Sequence, residues 1–173
     1  MESPAKREAV IFDMDGTLCD VRGIRRLIDG PGSFHAFHTA SVDCPPHRDV
    51  VDAAHAVHAS GRAVLIVTAR SVRYRPHTAM WLALHGVPSE AMWMRARGDG
   101  RPDRAVKRDI LHRIRARFEP VHAYDDNPDV LDLWRSEGIP VTVVPGWDGP
   151  PRSGGPAAGA SNGMACWVSD SGH

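Results

Sequence analysis

Cysteine is scarce in this sequence. Its three thiols, Cys19, Cys44 and Cys166, lie far apart in 173 residues and form no CxxC pair, which argues against both a disulfide framework and a structural zinc site. The ten histidines do not change this, because His35/His38 and His55/His58 come without companion cysteines or an HExxH pattern. Long apolar runs are missing as well. None approaches the roughly 18 residues of a membrane span, and MESPAKRE at the start carries charges with no apolar stretch behind them. The chain therefore reads as soluble and cytoplasmic, in a reducing compartment, with no membrane partner. Charge of one sign is lacking, since 21 Lys+Arg balance 21 Asp+Glu. A uniformly basic nucleic-acid binder is excluded, and any electrostatic targeting has to be local. No G-x-x-x-x-G-K-[ST] occurs, so no P-loop kinase activity is expected.

What is present is a globular composition, 42% hydrophobic and 24% charged, at the length of one domain. Short apolar runs at 8–14, 63–69, 91–95, 121–125 and 141–145 read as strands. Between them, Val50, Val51, Ala54 and Val57 recur at helical spacing, as do Val106, Ile110, Leu111, Ile114 and Phe118, and then Val130, Leu131 and Trp134. Asn127-Pro128 is a good start for what reads as the fourth helix, an Asn cap followed by Pro in the first turn. Alternating strands and helices with unalternated apolar strands predict an α/β fold: a three-layer, Rossmann-like central parallel sheet covered on both faces. Residues 1–146 are read as this domain and 147–173 as a flexible tail, because the stretch from Gly146 onward holds seven Gly and three Pro without periodicity. A terminal strand built from MACWV is the alternative.

Parallel sheets bind ligands at the carboxyl ends of their strands. Four features fall there or beside it: Asp13-x-Asp15-Gly-Thr, Thr68-Ala-Arg70, Lys107, and Asp125-Asp126. Carboxylates converging on one crevice repel one another unless a cation joins them, and hard oxygen donors select Mg²⁺ over softer metals. A lysine and a hydroxyl opposite that cation suit a phosphoryl group, whose equatorial oxygens need neutralising in the transition state. The pattern points to phosphoryl transfer.

In sequence order, VIFDMDGTL, LIVTAR, VKRDIL and YDDNPDV resemble the four motifs of the haloacid dehalogenase (HAD) superfamily of aspartyl phosphatases. The resemblance covers residues 8–145 and implies the HAD fold. With only the stretch between Leu18 and Val50 available for a lid, the cap is expected to be minimal. It further implies that Asp13 attacks phosphorus and that Asp15 protonates the leaving oxygen and then deprotonates water. Thr68 and Lys107 would hold phosphoryl oxygens. Mg²⁺ would bind Asp13, the backbone carbonyl of Asp15 and a carboxylate of the Asp125-Asp126 pair. An Asp at position 15 favours ester hydrolysis over dehalogenation, which has no leaving oxygen to protonate.

The segment MRARGDGRPDRAVKRDIL, with WLALHGVP before it and DVLDLWRSEGIPV after it, is similar to the phosphatase half of phage-type polynucleotide kinase-phosphatases, which remove 3′-phosphate from DNA or RNA ends. That resemblance implies substrate-phosphate contacts from Arg70 and Arg95, with Asp103 orienting Lys107 or an arginine. The family's arginine downstream of DxDGT has no certain counterpart among Arg22, Arg25 and Arg26. Two features read from the residues agree with a polymer end as substrate. A crevice with little cap admits one, and Arg95–Arg117 holds nine Lys/Arg against three Asp/Glu. The expected function is thus Mg²⁺-dependent polynucleotide 3′-phosphatase, with a separate kinase or ligase as partner. A small-molecule phosphatase and a non-catalytic nucleic-acid-end binding module are the alternatives. Trp81, Trp93 and Trp134 are read as core, and Cys19 as a packing residue.

Overall fold

Four apolar residues end the first strand, β1 (Arg7–Phe12), and all four are buried. Such a strand needs cover on both faces, and the computed structural model, which describes residues 5–28 and 33–146, supplies it. β1 pairs in parallel with β2 (Ala63–Ser71) on one side and β4 (Phe118–Asp125) on the other. β3 (Ala91–Arg95) and β5 (Val141–Val143) complete a five-stranded parallel sheet in the order β3-β2-β1-β4-β5.

Successive side chains of β1 divide between two cores. Val10 and Phe12, with Val64 and Ile66, meet α2 (Arg48–Ala59) and α3 (Arg75–Leu84). Ala9 and Ile11, with Leu65 and Val67, meet α4 (Asp103–Arg115) and α5 (Pro128–Ser136). Burial on both faces is why these strands read as continuous apolar runs. The cap is small. Between β1 and α2 the described chain makes 3-10 turns at Arg22–Ile28 and Ser41–Asp43 around one short helix, α1 (Ser33–Ala40).

Several elements differ from the sequence reading, each for a physical reason. β4 begins at Phe118 rather than Val121, because Pro120, which cannot donate to a ladder, is accommodated where the register shifts between Ala9 and Val10. α3 was hidden by its outer face: Met80 and Leu84 are 54% and 69% exposed, whereas the polar Thr78 is buried beside Trp81 and Leu82. The helix that starts at Asn127 is therefore the fifth. Its cap is as expected, with the Asn127 side chain accepting from the Asp129 amide at 3.1 Å. Trp81 and Trp134 are fully buried. Cys19 is buried as well, its Sγ donating to the Ser41 carbonyl at 3.6 Å. The tail at 147–173 and its alternative strand lie outside the described residues. Among the described residues no helix is long and apolar enough to cross a membrane.

Candidate active site

The chain leaves β1 for β2 and β3 on one side and returns to β4 on the other, so a crevice opens where the β1 and β4 carboxyl ends diverge. Asp13 sits at that point. Its amide still donates to the Tyr124 carbonyl at 3.0 Å, after which the backbone turns away. The turn needs Gly16, which has φ +87°, a conformation side-chain-bearing residues rarely adopt. It closes through Gly16 N–H to the Cys19 carbonyl at 2.9 Å and Cys19 N–H to the Met14 carbonyl at 2.8 Å. Both carboxylates of the motif are thereby delivered to the crevice, and the Thr17 hydroxyl, behind them, donates to Asp126 at 3.1 Å.

From the opposite layer α4 inserts Lys107, fully buried, with Nζ 2.6 Å from Asp13 Oδ1 and 2.8 Å from Asp125 Oδ2. Burial works to lower its pKa, but the charges of Asp125 and Asp13 outweigh that and hold the ammonium well above its ordinary range. Asp125 is saturated. Its Oδ1 accepts from the Asp126 and Asn127 amides, and its Oδ2 accepts from Lys107 and from Trp134 Nε1 at 3.2 Å. Asp126 accepts the Thr17 hydroxyl and lies against Gly146, where an added Cβ would stand 2.5 Å from its Oδ2.

Oxygen atoms of Asp13, Asp125 and Asp126 lie within 4.8 Å of one another. Three carboxylates around one ammonium leave negative charge uncompensated among buried groups, and the carboxyl groups register it. Burial, then the neighbouring Asp125 and Asp126, push Asp13 well up against the opposing pull of Lys107. Burial and the Asp125 charge push Asp126 up to about 7. An all-oxygen donor set with surplus negative charge fits a hard divalent cation such as Mg²⁺.

The other expected site residues come to the same cavity, with different partners. Thr68 is buried at the end of β2, its hydroxyl accepting from the Arg70 amide at 3.2 Å. Arg70 is buried and spends three of its five N–H donors on the protein. Its Nε donates to Asp15 Oδ2 at 2.7 Å, its Nη2 donates to Asp15 Oδ1, and its Nη1 donates to Thr78 at 3.2 Å. The side chain expected at substrate phosphate is thus placed as a two-pronged clamp that fixes the Asp15 carboxylate. Arg95 likewise spends its donors on the protein: the Ala69 carbonyl at 2.7 Å, the carbonyls of Asp99 and Arg101, and Asp103 Oδ1 at 2.5 Å. Asp103 orients this arginine, and Lys107 lies beyond its contacts. We expect Arg95→Ala to untie the 96–102 loop from the end of β2 and to cost about 1–3 kcal/mol, measured by denaturant melts. Of Arg22, Arg25 and Arg26, only Arg25 lines the cavity, whereas Arg22 pairs with Asp20.

The cavity, about 760 Å³, is shared by Asp13, Asp15, Thr68, Lys107 and Asp126 with a wall from the cap. Thr17, Thr78 and Gly146 were given no site role in the sequence, and Trp134 was read there as core only. Of these only Thr17 carried a local signal, as part of DxDGT.

The family model of the polynucleotide kinase PNKP phosphatase domain matches residues 7–146. The chain belongs to this family. A chain of the Pnkp1/Rnl/Hen1 RNA repair complex superposes with a TM-score of 0.71 at 25% identity, over 83% of this chain and 44% of that one. The PNKP-type domain described here therefore spans less than half of that matched chain. The class C acid phosphatase from Bacillus anthracis with tungstate bound superposes with a TM-score of 0.59 at 12% identity, over 82% of this chain and 68% of that one. A haloacid dehalogenase-like hydrolase from Streptococcus pneumoniae gives 0.56 at 14% identity, over 80% and 84%. The last two share the fold. This PNKP-type domain is a HAD phosphatase.

Proposed function

We propose that this PNKP-type domain is a Mg²⁺-dependent phosphomonoesterase that removes 3′-phosphate from DNA or RNA ends by way of an aspartyl-phosphate on Asp13. The observation that carries the reading is the buried Asp13–Lys107–Asp125 chain at the β1/β4 crevice, found in a chain whose family is the PNKP phosphatase domain. An Asp13 oxygen attacks phosphorus while the P–O bond to the 3′ carbon's oxygen breaks. Asp15, positioned by the Arg70 fork, enters this step in its protonated form and gives that proton to the leaving oxygen. Asp15 then takes a proton from the water that attacks the same phosphorus, which frees inorganic phosphate and restores Asp13. Lys107 and the Thr68 hydroxyl hold phosphoryl oxygens.

Asp13, the Asp15 carbonyl and Asp126 would hold Mg²⁺, which would neutralise charge on the phosphoryl group and favour the ionised form of Asp13. Asp126 is favoured over Asp125 on donor counts. A carboxylate offers about four lone-pair sites, and four donors already occupy those of Asp125, whereas Thr17 is the hydrogen-bond donor on the Asp126 side chain among the described residues. Gly146→Ala is the matching prediction. The methyl group displaces Asp126, so the Mg²⁺ concentration for half-maximal activity should rise roughly 10–100-fold, the scale seen when a supporting contact of a metal ligand is lost. A metal titration of activity checks it, with a thermal melt to show the fold is kept.

Pnkp1 assembles with Rnl and Hen1 in the matched RNA repair complex. By that likeness we extend the proposal to a partner that carries out the kinase or ligase step. The substrate reading is tested with one oligonucleotide carrying either a 3′- or a 5′-phosphate, beside mononucleotides and sugar phosphates. Preferential release from the 3′ end supports it. Fast turnover of one small ester with indifference to the polymer overturns the substrate and leaves the aspartate chemistry standing.

A further inference from the structure

Phosphate handling accounts for one wall of the cavity. The facing wall is made by the cap and by the segment after β2: Ile28, Phe34, Phe37, His38 and Tyr74, with Arg25 beside them. Nothing in the transfer of a phosphoryl group calls for these side chains, and a cavity of about 760 Å³ is of the size that holds a nucleotide-sized ligand, well beyond one phosphate.

The wall has the character of a binding surface. Phe34 is 64% exposed, a large aromatic side chain left in water at the cavity. Behind it His38 is only 8% exposed, yet its Nδ1 is buried with no hydrogen-bond partner among the described residues. A buried polar atom in that condition carries a desolvation cost that a ligand atom would relieve. The rings are held in place. His38 lies 4.6 Å from the Tyr74 ring, the Tyr74 hydroxyl is 3.2 Å from His35 Nδ1, and the Arg73 guanidinium sits 5.3 Å over the Tyr74 ring. Burial depresses the His38 pKa to about 4, so the imidazole is neutral and can donate or accept according to tautomer.

We propose that this wall is the subsite for the terminal nucleoside of the substrate: the base stacks on the exposed ring of Phe34, the buried Phe37 and Tyr74 back the wall, and His38 Nδ1 hydrogen-bonds a polar atom of the base or sugar. The assignment rests on the 3′-phosphatase reading and adds to it a determinant located in the cap. Aromatic faces accept any base, so the subsite selects for a nucleoside and not for sequence.

The test compares a nucleoside 3′-monophosphate, an oligonucleotide with a 3′-phosphate and β-glycerophosphate in wild type, Phe34→Ala and His38→Phe. Phe34 is exposed, so its replacement spares the core. In Phe34→Ala the ratio of kcat/KM for the nucleoside 3′-monophosphate to that for β-glycerophosphate should fall roughly tenfold, the loss of one base stack, carried by KM. His38→Phe keeps the ring and removes the polar atom, and should lower the same ratio. If wild type prefers the 3′-nucleotide but neither variant changes the ratio, the subsite is overturned and the 3′-phosphatase reading stands. If Phe34→Ala affects the oligonucleotide but not the mononucleotide, the wall contacts the strand upstream and the terminal-nucleoside assignment is overturned. If wild type treats all three esters alike, the substrate reading itself fails.

Discussion

Asp13→Asn should lower phosphate release by a factor on the order of 10⁴ or more, with the melting temperature unchanged or raised. The two halves of that expectation have separate causes. An amide oxygen is a poor nucleophile, so no acyl-phosphate forms and the two-step route is closed. The amide nonetheless keeps the shape of the side chain and can still accept from Lys107. Stability is expected to hold because Asp13 is an electrostatic burden in the folded protein. Burial and the charges of Asp125 and Asp126 push its carboxyl well above the ordinary range, and a neutral side chain removes that repulsion. Kinetics and a thermal melt on one preparation decide the point. Loss of activity that tracks loss of fold would mean that Asp13 is structural.

Lys107→Met should have the opposite signature, a loss of both activity and stability. The ammonium is buried between Asp13 and Asp125, at 2.6 and 2.8 Å. Removing one partner of a buried ion pair leaves the other charged and unpaired, which costs about 3–5 kcal/mol. Lys107→Arg should not rescue, because the larger planar guanidinium must fit a site closed around a lysine. Added Mg²⁺ should restore part of the lost melting temperature, since a ligand that binds the folded state stabilises it by mass action. Chemical denaturation with and without Mg²⁺ measures this. A variant as stable as wild type in the absence of metal would show that the Lys107 contacts carry no net stabilisation.

Much of the cluster was legible because Asp13, Thr68 and Asp125 stand at or beside strand ends, whereas Lys107 comes from the second turn of α4. A parallel sheet with covered faces converts Asp13, Thr68 and Asp125, separated by more than fifty residues in each step along the chain, into neighbours. What stayed hidden depended on long-range pairing. No spacing rule joins Arg70 to Asp15 across 55 residues, so the pairing that holds this arginine at the cavity was not legible. Trp134 reads as one more apolar residue on a helix face, because its Nε1 acquires meaning only when α5 docks against Asp125. Gly146 stands at the head of a Gly/Pro-rich stretch, and nothing in the sequence separates a glycine pressed against Asp126 from one in a linker. In β4, a proline obscured the first three residues of a strand that was otherwise legible, and a register shift accommodates it. Cys19 and Cys44 are distant in sequence, yet the fold makes them neighbours whose thiols influence one another.

The most direct test of the account is to trap the phosphorylated protein. An oligonucleotide with a radiolabelled 3′-phosphate would be mixed with the enzyme and Mg²⁺, quenched in acid during turnover, and the labelled peptide mapped. The account predicts label on the peptide that contains Asp13, labile to hydroxylamine as an acyl-phosphate is, and absent from Asp13→Asn. Steady turnover with no labelled protein, or label that persists in Asp13→Asn, would contradict it.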